Sequence, residues 1–184
     1  MSDTSPNEVA INRVHYPVTS LGPGRRLGIW FQGCSIGCDG CISPDTWNLK
    51  GDEWIKVPQL VHDCKHLIKE ADGITISGGE PFEQPKALRA IVVAIRAIRD
   101  LHIIVYSGFS FNYLKKNHSS LLDHLDVIIS GPYVEGLGKL PLRGSKNQEI
   151  HELAVHRLRG EVNPDHRLDM SLGQDEEVHL AGIF

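Results

Sequence analysis

Short runs rich in isoleucine and valine alternate along most of the chain with longer stretches whose apolar residues recur at helical spacing. The runs typical of buried strands cover residues 27–31, 74–77, 102–108 and 126–131, and the helical stretches cover residues 57–70 and 86–99 and a weaker one that ends near residue 125. Strands that alternate with helices of about 10 to 15 residues indicate βαβ units. The pattern therefore predicts an α/β fold around a parallel sheet.

The ends of these predicted strands are marked by glycine, at Gly33, Gly78, Gly108 and Gly131. Loops at the carboxyl ends of parallel strands are where α/β folds build their active sites. We therefore expect the functional residues in the segments that follow the strands.

The pattern changes after Gly136. Residues 140–153 form a polar, basic loop that leads into a predicted short helix, and residues 165–184 alternate around a Gly-Gln-Asp turn, which predicts a C-terminal β-hairpin. No repeat or linker divides the chain, so residues 1–184 are expected to form a single domain. Residues 1–10 are expected to be disordered.

Composition excludes several classes of function. The chain has 184 residues, 23% of them charged, and a formal net charge of −4, which argues against nucleic-acid or anionic-membrane partners. The longest aliphatic run, residues 90–95, is too short to span a bilayer. The polar N-terminus lacks the apolar core of a secretory signal, so a cytoplasmic location is expected.

Three cysteines follow the first predicted strand in the pattern Cys34-x3-Cys38-x2-Cys41. Thiolates this close converge on one metal centre more easily than they pair with one another. A 4Fe-4S cluster normally takes four cysteine ligands, so three would leave one iron with an open position, which is typical of reactive sites. Neighbouring glycines allow positive φ and let backbone N–H groups face the sulfurs of a cluster.

A zinc site, with Cys64 or a histidine as fourth ligand, is the alternative that the spacing leaves open. Cys64 falls on the apolar stripe of its predicted helix and is expected to be a small buried residue. His62 and His66 lie off that stripe, and we expect them on the surface. His151 and His156 would stand about 140° apart on a helix, which excludes a zinc-protease motif.

The cysteine spacing resembles the signature of the radical S-adenosylmethionine enzymes, and further motifs bring the resemblance closer. GPGRRLGIWFQGC, residues 22–34, is similar to the lead-in of the glycyl-radical-enzyme activases. CDGCISPDTW, residues 38–47, is similar to the cluster loop of the anaerobic ribonucleotide reductase activating proteins. ISGGEP, VYSGF, DVIISGPY and LRGSKNQEI follow in that family's order, so the resemblance covers roughly residues 14–155.

The resemblance implies a fold and a set of site residues. The fold would be a partial, incomplete TIM-like βα barrel with a mainly parallel sheet, extended by the C-terminal hairpin. The cluster ligands would be Cys34, Cys38 and Cys41, and S-adenosylmethionine would occupy the open iron. The other residues implied to contact this cosubstrate are Gly78, Gly79, Glu80, Tyr106, Ser107, Gly108 and Arg143.

Roles follow for some of these residues. Gly78, Gly79 and Glu80 match the motif that holds the methionine amino group. Backbone carbonyls and a carboxylate can accept hydrogen bonds from this amine, which would explain the motif. Tyr106 either lines the pocket or is a core residue. Arg143 either holds a carboxylate, of S-adenosylmethionine or of a partner, or belongs to a solvated loop. The same two alternatives apply to Arg25 and Arg26.

The implied reaction is reductive cleavage of S-adenosylmethionine to methionine and a 5′-deoxyadenosyl radical, which removes a hydrogen atom from a glycine of a large glycyl radical enzyme. The implied electron donor is a flavodoxin or a ferredoxin. Gly40 and Ile42 flank the third cysteine, where related proteins often have an aromatic residue that can contact adenine. Two alternatives stay open: a small-molecule or peptide substrate, and a non-catalytic iron–sulfur or zinc electron-transfer module.

Overall fold

A single mixed β-sheet carries the site. The computed structural model describes residues 7–48 and 54–153. The strands within these ranges are β1 (Glu8–Val18), β2 (Arg26–Phe31), β3 (Trp54–Lys56), β4 (Gly73–Gly78), β5 (His102–Ser107), β6 (Val127–Ser130) and β7 (Glu149–Glu152). The helices are α1 (Val57–Asp63), α2 (Lys65–Glu70), α3 (Pro85–Ile98) and α4 (Phe111–Leu122).

The strand order is β3-β1-β2-β4-β5-β6-β7, and the sheet is not closed. β2, β4, β5 and β6 run parallel, whereas β1, β3 and β7 are each antiparallel to their neighbours. The α/β prediction is therefore confirmed, and its four predicted strands are the four parallel strands. The predicted hairpin over residues 165–184 lies outside the described residues.

Three local predictions are wrong. Residues 8–10, expected to be disordered, belong to β1. Residues 149–152, predicted as part of a polar loop, form β7, which pairs with β6, and the short helix predicted after that loop lies outside the described residues. The single helix predicted over residues 57–70 is divided at Cys64 into α1 and α2. The first two errors concern strands that bear many polar side chains and therefore form no aliphatic run.

The apolar core lies on the helical side of the sheet. Alternation along a strand sends every second side chain to one face, and here the buried residues of β2, β4 and β5 on that face pack with the apolar stripe of α3. The residues concerned are Leu27, Ile29, Phe31, Ile74, Ile76, Ile103, Val105, Leu88, Ile91, Val92 and Ile95. The core thus holds the parallel strands in register and leaves their carboxyl edge to loops.

Arg26, which the sequence left as either a carboxylate ligand or a solvated residue, is buried on the opposite face at the start of β2. Its guanidinium donates to Thr75 Oγ1 at 2.6 Å and to the carbonyl oxygens of Ile74 and His102 at 2.5 and 2.9 Å. Burial lowers the pKa of Arg26 to about 10. Arg26 therefore joins the amino ends of three parallel strands, away from the cysteine loop.

Candidate functional site

The cysteine loop leaves the carboxyl end of β2 and returns to it. Gly33 N–H donates to the carbonyl oxygen of Thr46 at 2.7 Å, and Cys34 N–H donates to that of Trp47 at 3.0 Å. The three cysteines of the loop are half-buried free thiols. Gly33, Gly37 and Gly40 have φ of 102°, 58° and 69°, which confirms the expected positive φ. The glycines thus let a short loop close on itself around three thiols.

Backbone N–H groups face two of the sulfurs. Those of Gly37 and Ile36 stabilise the Cys34 thiolate, and that of Ser43 donates to Cys41 Sγ at 3.4 Å. Burial raises the pKa of the Cys34 thiol, while the two N–H groups oppose that shift. N–H donors stabilise a thiolate and the sulfurs of a metal cluster in the same way. The donor set therefore fits an iron–sulfur cluster.

The zinc alternative requires a fourth ligand besides the three cysteines of the loop. Within residues 7–48 and 54–153, no three His, Cys, Asp or Glu side chains meet as the ligands of one metal ion would. Cys64, the fourth ligand of the zinc alternative, lies in the apolar core, as predicted, and burial raises its pKa to about 11.

Of the four histidines that the sequence singles out as possible ligands, three lie within the described residues. His62 and His66 are exposed, as predicted. His151 lies in β7 instead of a helix, and its ring stacks on that of Phe111 with 3.6 Å between centroids. His156 lies outside the described residues.

The Gly78–Glu80 segment lies directly against the base of the cysteine loop. Gly79 N–H donates to the carbonyl oxygen of Phe31 and Glu80 N–H to that of Gly33, both at 2.8 Å. A Cβ on Gly79 would lie 2.1 Å from the Gly33 carbonyl oxygen. Gly79 is therefore required for the close approach of the two segments, as expected of a glycine at this position.

Glu80 joins this segment to the end of β5. Its side chain is fully buried, and Oε1 accepts hydrogen bonds from Phe82 N–H and Ser107 Oγ, each at 2.9 Å. Oε2 accepts from Gly108 N–H at 2.7 Å. A carboxylate offers about four lone-pair positions, so little capacity remains for a ligand. Burial raises the pKa of Glu80 to about 7, and these hydrogen bonds oppose the shift.

The cysteine loop also reaches the end of β5, since a Cβ on Gly108 would lie 2.5 Å from Ile36 Cδ1. The structure thus brings Cys34, the Gly78–Glu80 segment, Ser107 and Gly108 to one edge of the sheet. Tyr106 is separated from Ser107 by the alternation of β5 and faces away from the helices. Burial raises the pKa of Tyr106 well above its usual range, and its hydroxyl has no hydrogen-bond partner among the described residues.

Arg143 lies in a loop fastened to the end of β6. Asn147 Nδ2 donates to the carbonyl oxygen of Pro132 at 2.7 Å, and Gln148 Nε2 to that of Gly131 at 3.0 Å. Leu142, directly before Arg143, has φ of 60°, an uncommon conformation for a branched side chain. The Arg143 Nε is buried and has no partner among the described residues. A carboxylate ligand for Arg143 stays a prediction.

Sequence reasoning missed two buried glutamines that hold the loops. Gln32 Nε2 donates to the carbonyl oxygens of Asp45 and Asn48 at 3.0 and 2.6 Å, which ties the end of the cysteine loop to β2. Gln84 Oε1 accepts from Ala10 N–H at 2.9 Å, and its Nε2 donates to the Gln32 carbonyl oxygen at 2.8 Å. Their signal in the sequence is position, directly before Gly33-Cys34 and directly after the ISGGEPFE run.

No helix among the described residues is long and apolar enough to cross a membrane.

Comparison with known proteins places the chain in a family. The model of the 4Fe-4S single cluster domain matches residues 20–151. The anaerobic ribonucleoside-triphosphate reductase-activating protein of Escherichia coli K12 is 30% identical over 76% of this chain and 96% of that protein. The protein of the same name from Vibrio cholerae is 28% identical over 77% of this chain and 97% of that protein. QueE from Escherichia coli aligns with a TM-score of 0.49 and 18% identity over 56% of this chain and 54% of that one, too weak a likeness to support an argument.

Proposed function

The chain belongs to the 4Fe-4S single cluster domain family and to the anaerobic ribonucleoside-triphosphate reductase-activating proteins, and from this premise we propose that it is a radical S-adenosylmethionine enzyme. Its proposed task is to install a glycyl radical on a partner such as anaerobic ribonucleotide reductase. The observation that carries the proposal is the contact between a loop of three free thiols and the Gly78–Glu80 segment at one sheet edge.

In the proposed site, Cys34, Cys38 and Cys41 would hold a 4Fe-4S cluster, and S-adenosylmethionine would bind at the iron that has no cysteine ligand. When bound, the cluster supplies the electron that cleaves S-adenosylmethionine into methionine and the radical that removes a glycine hydrogen atom. Cys64 takes no part, because it lies in the apolar core.

The chain's own groups would bind and orient the cosubstrate. Backbone carbonyls of Gly78 and Gly79 are proposed to accept hydrogen bonds from the methionine amino group. Glu80 keeps those carbonyls in place through its bonds to the end of β5, and Ser107 and Gly108 form the adjoining wall. Glu80 thus acts mainly by positioning, a smaller direct role than the sequence implied.

Tyr106 and Arg143 complete the proposed assignment. Tyr106 lines the sheet face that does not pack on the helices, which we take to be the inner wall of an incomplete TIM-like βα barrel. Arg143 is proposed to bind a carboxylate through its guanidinium, whose Nε lacks an internal partner among the described residues. The proposed electron donor is a flavodoxin or ferredoxin.

The experiment that tests this function follows the hydrogen atom. The iron-loaded, reduced chain is mixed anaerobically with S-adenosylmethionine and the anaerobic ribonucleotide reductase of the same organism, labelled with α-deuterated glycine. We expect a glycyl radical signal in the electron paramagnetic resonance spectrum and deuterium in the 5′-deoxyadenosine formed. Formation of 5′-deoxyadenosine with neither the signal nor the deuterium would favour a small-molecule or peptide substrate.

A further inference from the structure

Glu83 makes a contact that the proposed function does not use. It ends the short 3-10 helix Pro81–Glu83 that follows Glu80. Its Oε1 accepts two hydrogen bonds from Ser35, one from the backbone N–H at 3.0 Å and one from Oγ at 2.5 Å. Ser35 lies between the first two cysteines of the loop. The Glu83 side chain, which follows the Gly78–Glu80 segment, therefore binds the cysteine loop directly.

This contact is the second tie between the same two segments. The first is the backbone bond from Glu80 N–H to the Gly33 carbonyl oxygen at 2.8 Å. Cys34 lies between the two anchored residues, Gly33 and Ser35, so both its chain neighbours are fixed to residues 80–83. A residue held on both sides has little freedom to move relative to the Gly78–Glu80 segment.

We propose that Glu83 is a positioning residue that sets Cys34 at the correct distance from the Gly78–Glu80 segment. The inference rests on the proposed function, in which Cys34 carries the cluster and this segment binds the methionine amino group. S-adenosylmethionine must reach both at once, so its binding depends on their separation. Glu83 acts through the two hydrogen bonds to Ser35, and charge assistance strengthens both.

A second carboxylate beside the same loop provides the matched control. The Glu135 side chain packs against Gly40, where a Cβ would lie 2.8 Å from its carboxyl carbon. Among the described residues, Glu135 has no hydrogen bond to the cysteine loop. Glu135→Leu therefore removes an equal charge from the loop's surroundings without removing a tie, and Glu83→Gln removes the charge of Glu83 while it keeps an acceptor oxygen.

The first measurement is the binding of S-adenosylmethionine to iron-loaded, reduced protein, followed through its effect on the electron paramagnetic resonance spectrum of the cluster. We expect Glu83→Leu to weaken binding about tenfold, whereas Glu83→Gln and Glu135→Leu stay within about threefold of the unmodified chain. Ser35→Ala, which loses only the hydroxyl donor, is expected to lie between them. Equal weakening in both leucine variants would show that only charge matters and would overturn the proposal.

The second measurement does not depend on S-adenosylmethionine. Hydrogen exchange at the Ser35 amide of the iron-loaded chain is expected to be about tenfold faster in Glu83→Leu and nearly unchanged in Glu83→Gln and Glu135→Leu. Unchanged exchange in Glu83→Leu would overturn the inference even if the enzyme is active. If the unmodified chain binds no S-adenosylmethionine, the proposed function fails, while the exchange result still decides whether Glu83 holds the loop.

Discussion

The four cysteines show how environment assigns different roles to one residue type. Cys34 and Cys41 receive backbone N–H groups at sulfur in a half-buried loop. Cys64 lies among apolar side chains, and burial raises its pKa to about 11. A thiol that resists ionisation is a poor metal ligand, because metals bind the thiolate.

Replacing the cysteines one at a time distinguishes the proposed cluster ligands from the cysteine of the apolar core. Cys34→Ala, Cys38→Ala and Cys41→Ala are each expected to abolish loading of an intact cluster, measured as iron and sulfide per chain after anaerobic reconstitution. Cys64→Ala is expected to load normally and to lose only about 1 kcal/mol in the free energy of unfolding. Loss of the cluster in the Cys64 variant would show that the ligand set is wrong.

The buried carboxyl group of Glu80 makes the free energy of unfolding depend on pH, in a direction that its pKa shift determines. Burial raises the pKa of Glu80 from 4.5 to about 7, so the folded chain binds more protons than the unfolded chain between these values. Its contribution to stability is therefore present below that window and is lost as the pH rises through it.

Chemical denaturation of the chain without iron, at several pH values, tests this effect. The unmodified chain is expected to lose up to about 3 kcal/mol relative to Glu80→Gln as the pH rises from about 5 to about 8. The variant itself is expected to be less stable overall, since its amide places a donor where a carboxylate oxygen accepts a bond. If the free energy of unfolding of the two proteins changed with pH in the same way, that result would contradict the pKa shift of Glu80.

At the scale of elements, the loops at the carboxyl edge are held by backbone approach as well as by side chains. Gly79 and Gly37 both lie at this edge, and each position favours glycine for a different reason. Gly79 provides space, since a Cβ there would lie 2.1 Å from a backbone oxygen. Gly37 provides a left-handed conformation with φ of 58°, and no heavy atom lies within 4 Å of a Cβ built on it.

Alanine at these two glycines should therefore have unequal effects. Gly79→Ala is expected to cost about 3 kcal/mol or more and to prevent cluster loading, because two backbones must separate. Gly37→Ala is expected to cost only about 1 kcal/mol, the price of a left-handed alanine. The checks are denaturant unfolding and iron content, and equal effects in the two variants would contradict the close approach.

Prediction from the sequence succeeded where side-chain pattern alone decides the element. The aliphatic runs of β2, β4, β5 and β6 and the stripe of α3 identified the parallel core. β1 was missed because most of its residues are only half-buried, and β7 because it is short and mostly exposed. The roles of Gln32 and Gln84 were missed because each binds backbone atoms of distant segments, which no local pattern encodes.

In the whole molecule, the amino ends of the parallel strands have a structural role, whereas their carboxyl ends carry the proposed site. The amino ends are joined by the buried Arg26, whose donors meet carbonyl and hydroxyl oxygens. The carboxyl ends carry the cysteine loop, the Gly78–Glu80 segment and the Arg143 loop. The motif order along the sequence predicted this edge, because parallel strands bring their carboxyl ends together.

If the carboxyl edge of the sheet performs radical chemistry on S-adenosylmethionine, the reduced chain must cleave this cosubstrate. The most direct measurement is anaerobic reconstitution with iron and sulfide, reduction with dithionite, addition of S-adenosylmethionine and chromatographic assay of 5′-deoxyadenosine. We expect 5′-deoxyadenosine from the reduced unmodified chain, and none from Cys38→Ala or without reductant. No 5′-deoxyadenosine from a cluster shown by spectroscopy to be reduced would contradict it.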